Sequence, residues 1–111
     1  MADTDMTTDG IIRYDQHRLL FIRSTPVRFT PLEYGLMQQF VEHFGMPLSY
    51  AVLARTAFGR SSTAETRLAL EKHIDRLRSK VRPLGLTLPC VTGYGYVLLW
   101  DDEHIGAAPQ P

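Results

Sequence analysis

Cysteine is nearly missing from this 111-residue chain, with Cys90 its single thiol. An internal disulfide and any metal site built on several thiolates are therefore excluded, and a reducing compartment is implied. Long hydrophobic runs are absent too: none approaches the roughly 20 residues that a membrane-spanning helix needs. The start, Met1-Ala2-Asp3-Thr4-Asp5, is acidic where a secretory signal is basic, so a cytoplasmic location with no membrane partner is expected. No Ser, His and Asp arrangement, no carboxylate pair in apolar surroundings and no glycine-rich phosphate loop occurs. Gly93-Tyr94-Gly95 is too short and opens no helix. Catalysis and a cofactor are not expected. His17, His43 and His104 have no partners at ligand spacing, which argues against a metal. Net charge is also lacking, since 12 Lys and Arg balance 12 Asp and Glu. Taken alone, that balance speaks against a polyanionic partner.

The distribution of charge says more than its sum. Residues 60–82 hold seven bases (Arg60, Arg67, Lys72, Arg76, Arg78, Lys80, Arg82) against three acids (Glu65, Glu71, Asp75), a local excess of +4, while both flanks are mildly acidic. With 44% hydrophobic and 22% charged residues the composition is that of one globular domain. Residues 10–100 are expected to form it, with polar tails at 1–9 and 101–111.

Within that domain, short β-favouring runs (Ile11-Ile12-Arg13-Tyr14, Leu19-Leu20-Phe21-Ile22, Val27-Arg28-Phe29) alternate with turn-prone Asp15-Gln16-His17 and Ser24-Thr25-Pro26, which predicts a small antiparallel meander. Thr30-Pro31-Leu32-Glu33 then supplies a hydroxyl cap, a first-turn proline and an acid three residues after the cap. A helix follows with Leu36, Met37, Phe40, Val41 and Phe44 on its buried side, closed by Gly45 and Pro47. Ser49 caps a shorter helix from about Tyr50 to Phe58, which Gly59 stops. Ser62 with Glu65 reads as the capping box of a third helix, spanning 63–81 and ended by Pro83 and Gly85. Residues 86–91 and 95–100 form two β-favouring runs joined through Thr92-Gly93-Tyr94, a hairpin. In it Cys90 counts as a small hydrophobe rather than a redox sensor, and Tyr94, Tyr96 and Trp100 are expected to pack on the helices, with Tyr94 at the tip.

The third helix carries the functional signal. With Leu70 at zero, Ile74, Leu77 and Val81 fall at about 40°, 340° and 20°, one narrow stripe that must be buried. One exposed flank gathers Lys72, His73, Arg76 and Lys80, four donors without an acid. Across the helix, Arg67 with Glu71 and Asp75 with Arg78 are spaced for ion pairs, and Asp75, near about 140°, is directed away from the donor flank. A face of unpaired donors suits phosphates, although charged helix faces are more often simply solvated.

The order of strands, three helices and a hairpin shifts the balance towards DNA, because a helix, a connection, a basic amphipathic helix and a hairpin make up a winged helix-turn-helix. Three motifs then resemble one family, the effector domain of OmpR/PhoB-type response regulators. Phe29-Thr30-Pro31-Leu32-Glu33-Tyr34 is similar to its first-helix start. His73-Ile74-Asp75-Arg76-Leu77-Arg78-Ser79-Lys80 is similar to its recognition helix, and Val91-Thr92-Gly93-Tyr94-Gly95-Tyr96 to its wing. The similarity spans roughly residues 12–98 and implies an α+β fold, with helix 63–81 in the major groove of double-stranded DNA and the hairpin alongside. It further implies DNA contacts from His73, Arg76 and Arg78, with Lys80 following on the same helix. Lys72, Thr92 and Tyr94 complete the candidate DNA-binding set. Arg60, Ser61 and Ser62 fall in the loop where members of the family contact RNA polymerase, and a homodimer on DNA is a further expected partner.

The chain departs from that pattern at Leu68, Thr92 and Val97, where arginine is common, and at Asp75, commonly basic or small and polar. Missing wing arginines imply weaker DNA binding. No phospho-acceptor receiver precedes the winged helix in these residues, which fits either an effector domain or a standalone regulator. Two functions therefore stay open: a sequence-specific transcriptional regulator, and a winged-helix protein-interaction module with weakened or lost DNA binding.

Overall fold

The computed structural model describes residues 6–101. Four strands, β1 (Met6–Thr8), β2 (Ile11–Tyr14), β3 (Leu19–Ile22) and β4 (Thr25–Arg28), form an antiparallel sheet in chain order. The first strand corrects the expected tail at 1–9, because Met6, Thr7 and Thr8 pair with Arg13, Ile12 and Ile11. Three residues with two threonines carry too little hydrophobic alternation to be read as a strand. The expected tail beyond Asp101, like residues 1–5, lies outside the described residues. Between β3 and β4 the turn is Arg23-Ser24, both at positive φ, as a two-residue hairpin turn requires. Thr25 and Pro26 therefore belong to the strand rather than the turn, and Pro26 is tolerated opposite Phe21 because β4 is an edge.

Helix α1 (Pro31–Glu42) starts at the Thr30 capping box: Thr30 Oγ1 accepts from Glu33 N–H at 3.2 Å, and Thr30 N–H donates to Glu33 Oε1 at 3.0 Å. It ends at Glu42, short of Gly45. A two-residue strand, β5 (Leu48–Ser49), leads into α2 (Tyr50–Phe58), which Ser49 caps and Gly59 ends in the left-handed conformation. Helix α3 (Ala64–Val81) begins one residue later than expected, with its cap at Thr63. Thr63 and Thr66 exchange side-chain and backbone bonds there, in place of Ser62 and Glu65.

Leu70, Ile74, Leu77 and Val81 are fully buried, as the 3.6-residue period requires. They meet Leu36, Met37, Phe40 and Val41 of α1, Leu53 of α2, Ile11, Leu20 and Ile22 of the sheet, and Leu86, Leu88 and Leu98 of the C-terminal strands in one core. Each such side chain contributes roughly 1.5–3 kcal/mol relative to exposure.

The expected hairpin is present in two ladders. Strand β6 (Leu86–Thr87) pairs with β9 (Leu99–Trp100), and β7 (Cys90–Val91) pairs with β8 (Gly95–Tyr96). Pro89, which has no N–H to donate, separates β6 from β7, and its carbonyl accepts from Val97 N–H at 3.2 Å. Strand β8 also pairs with β5, a contact between the hairpin and the entry to α2.

Polar bonds lock the N-terminal sheet onto α1. Arg13, nearly buried, donates to Asp15 at 2.8 Å and to Glu42 at 2.9 Å, and Tyr34 Oη donates to Asp15 Oδ1 at 2.5 Å. The bond to Arg13, more than offsetting burial, holds the Asp15 carboxyl below its ordinary range. Burial and the bond to Asp15 push the Tyr34 phenol well above its own.

Candidate nucleic-acid interface

With its buried stripe directed into the core, α3 turns a ridge outward, centred near about 180° from that stripe. Leu68, Lys72, Asp75, Arg76 and Ser79 occupy it, and all five are exposed. Beside the ridge stands the hairpin tip, where Thr92, Gly93 and Tyr94 are exposed and the turn is closed by Tyr94 N–H donating to the Val91 carbonyl at 2.8 Å. Tyr50 N–H donates to the Tyr94 carbonyl at 2.8 Å, so the first residue of α2 holds the tip in place. Cys90 lies exposed on the same hairpin, its Sγ 3.7 Å from Tyr50 Oη, which corrects its expected role as an interior hydrophobe. Of the three alternating aromatics, Tyr96 is buried against Tyr50, Trp100 packs on Phe44 and under Arg23, and Tyr94 alone faces out.

The expected four-donor flank does not survive folding intact. Lys72 and Arg76 stay exposed, whereas Lys80 Nζ donates to Glu33 Oε1 at 2.7 Å and to the Arg28 carbonyl at 3.1 Å. The acid that the helical wheel lacked thus comes from α1. His73 leans on the Phe58 ring of α2, with 6.0 Å between centroids, and its Nδ1 is buried without a hydrogen-bond partner among the described residues. Burial, reinforced by the charge of Arg76, lowers its pKa from the ordinary 6.5, which makes the ring neutral at neutral pH. A cation at His73 is therefore not part of this surface.

Arg78 has also been turned to internal use. Its Nε and Nη2 both donate to the Leu88 carbonyl, at 3.0 and 2.7 Å, its Nη1 bonds Asp75 Oδ1 at 2.9 Å, and the guanidinium lies over the Tyr96 ring. It braces the hairpin against α3. The expected pair of Asp75 and Arg78 forms, while Arg67 lies over the Tyr50 ring, 4.0 Å from its centroid. The flank carrying Arg67, Glu71 and Arg78 is thus the one beside the hairpin, and Asp75, bonded to Arg78, stands at the border of the ridge on that side. A wheel shows two flanks but not which of them a distant hairpin will cover. Sequence patterns gave Arg67 only an ion pair with Glu71 and did not foresee its stacking on the half-buried Tyr50. In the loop before α3, Arg60 and Ser61 are exposed and Ser62 is half-buried.

Three helices, the last presenting an exposed ridge beside a braced hairpin, define a winged helix-turn-helix domain. Residues 24–98 match the family model described as "Transcriptional regulatory protein, C terminal", and the chain belongs to this family of DNA-binding transcription-regulator domains. Solved structures share its fold. The DNA-binding domain of CpxR from E. coli superposes with a TM-score of 0.71 at 19% identity, over 86% of this chain and 96% of that one. The AdeR DNA-binding domain in complex with an intercistronic region gives 0.70 at 22%, over 85% and 97%. The Klebsiella pneumoniae RstA DNA-binding domain in complex with its RstA box gives 0.70 at 14%, over 85% and 95%. No curated protein matches the sequence.

Proposed function

We propose that the chain regulates transcription by laying the outward ridge of α3 in the major groove of double-stranded DNA, with the hairpin tip against the neighbouring backbone. The observation that carries this is the exposure of Lys72 and Arg76 on the ridge together with that of Thr92 and Tyr94 at the tip. Lys72 and Arg76 supply the phosphate or guanine contacts, Thr92 and Tyr94 polar contacts along the sugar-phosphate strand. His73, Arg78 and Lys80 support the surface from behind. Such a role belongs in the cytoplasm of a bacterial cell. The exposed Arg60 and Ser61 suit a contact with RNA polymerase, and two copies on adjacent half-sites suit a homodimer on DNA.

Binding to a mixed-sequence duplex measured against salt tests the proposal. Affinity falls with rising salt in the wild type, and Arg76→Ala reduces the logarithmic slope by about one. A flat response at low ionic strength defeats it and favours the protein-interaction alternative, for which Leu68, 62% exposed at the centre of the ridge, would be the anchor.

A further inference from the structure

We infer that Asp75 is a specificity-determining residue, its carboxylate accepting from the exocyclic amino group of one cytosine in the bound duplex. The inference rests on the proposed docking of α3. A helix in the major groove points its ridge at base edges and its flanks at phosphates. Asp75 is exposed between Leu68 and Ser79 at the border of that ridge. An acid aimed at phosphates would only repel, but an acid aimed at base edges meets amino donors.

Two details distinguish this side chain from an ordinary solvated acid. Its Oδ1 is held by Arg78 at 2.9 Å, and Arg78 is itself fixed by two bonds to the Leu88 carbonyl. An exposed ion pair is weak when both long side chains must be ordered for it. Here the arginine is ordered already by the hairpin, so Oδ1 is tethered on the hairpin side of the ridge and its charge is offset against the phosphates. The second oxygen, Oδ2, has no partner among the described residues and is free to accept. Cytosine presents only the N4 amino donor in the major groove, whereas adenine sets its amino group beside the N7 acceptor, which repels a carboxylate. Cytosine is the base that fits.

Selection of bound duplexes from a random pool, with the full chain and with Asp75→Ala and Asp75→Asn, tests the assignment. Wild type enriches cytosine at one position by roughly fivefold to a hundredfold over other bases. Asp75→Ala loses that enrichment and binds mixed-sequence duplex more tightly. Asp75→Asn moves the preference to adenine, since an amide both donates to N7 and accepts from N6. Identical selected sequences from wild type and Asp75→Ala overturn the assignment while leaving the docking of α3 intact. No selected sequence together with a flat salt response from wild type overturns the docking, and the assignment with it.

Discussion

Lys80 Nζ lies 2.7 Å from Glu33 Oε1, joining the last turn of α3 to the first turn of α1 across 47 residues of sequence. Glu33 is buried and also closes the cap of its own helix. Burial alone would raise its pKa, but the bonds from Lys80 and Thr30 outweigh it and hold the carboxyl below its ordinary 4.5. Replacing Lys80 by alanine strands a buried acid and is expected to cost about 1–3 kcal/mol of stability, read by denaturant unfolding. The same variant should leave the salt dependence of DNA binding unchanged, which separates a structural lysine from a phosphate-binding one.

Lys72→Ala should behave in the opposite way. The side chain is exposed and sits on the outward ridge, so stability should change by less than about 0.5 kcal/mol. Binding should weaken for all sequences alike, with the salt slope falling by about one in a titration. A drop in stability with an unaltered slope would move Lys72 out of the interface.

Arg13 answers two acids at once, Asp15 and Glu42, from a nearly buried position. Arg13→Ala leaves both without this partner and unpins the sheet from α1. The expected loss is about 2–4 kcal/mol, discounted from fully buried pairs because both acids remain partly exposed. Thermal unfolding should show it as a fall of about 10 °C or more in a domain of this size.

Gly95 has no room for a side chain, because a Cβ there would overlap the Leu48 carbonyl oxygen of the paired strand β5. Gly95→Ala should therefore separate β5 from β8. Amide hydrogen exchange at Tyr96 and at neighbouring strand residues should speed up, with the helices less affected. Unchanged protection at β8 would show that the strand pair can accommodate a methyl group.

Acidification should lower the stability of the domain over two pH ranges. His73 has its pKa lowered in the fold, so it binds protons more readily when unfolded. Stability is full above the ordinary 6.5 and declines as pH falls below that value towards the folded pKa. Asp15 and Glu33, also lowered, add a second decline beneath their ordinary 3.8 and 4.5. Melting temperature followed against pH checks both, and His73→Phe should remove the first decline.

Much of this fold was legible because its signals are local. Thr30, Pro31 and Glu33 specify the start of α1 within four residues, Ser49 and Gly59 bracket α2, and the spacing of Leu70, Ile74, Leu77 and Val81 names the buried side of α3. The break of the hairpin into two ladders around Pro89 was not read, because residues 86–91 look like one β-favouring run. The functional surface was less accessible, because its composition depends on partners far along the chain. Nothing in residues 64–81 reveals that Glu33 will take Lys80, that Phe58 will cover His73, or that the Leu88 carbonyl will take Arg78. Sequence patterns named the donors of α3 but not the internal contacts that Lys80, His73 and Arg78 make, since a donor is available to a ligand only after the rest of the fold has taken its share.

The hairpin is fastened twice, by β5 pairing with β8 and by Arg78 gripping the Leu88 carbonyl, while Tyr50 secures its tip. Its separation from the ridge of α3 is therefore a fixed gauge, closer to the jaws of a caliper than to a flap. A caliper does not adapt to what it measures. In the proposed docking, a duplex whose groove width disagrees with the gauge has to narrow, widen or bend to fit, and sequences that deform easily gain an advantage at positions no side chain touches.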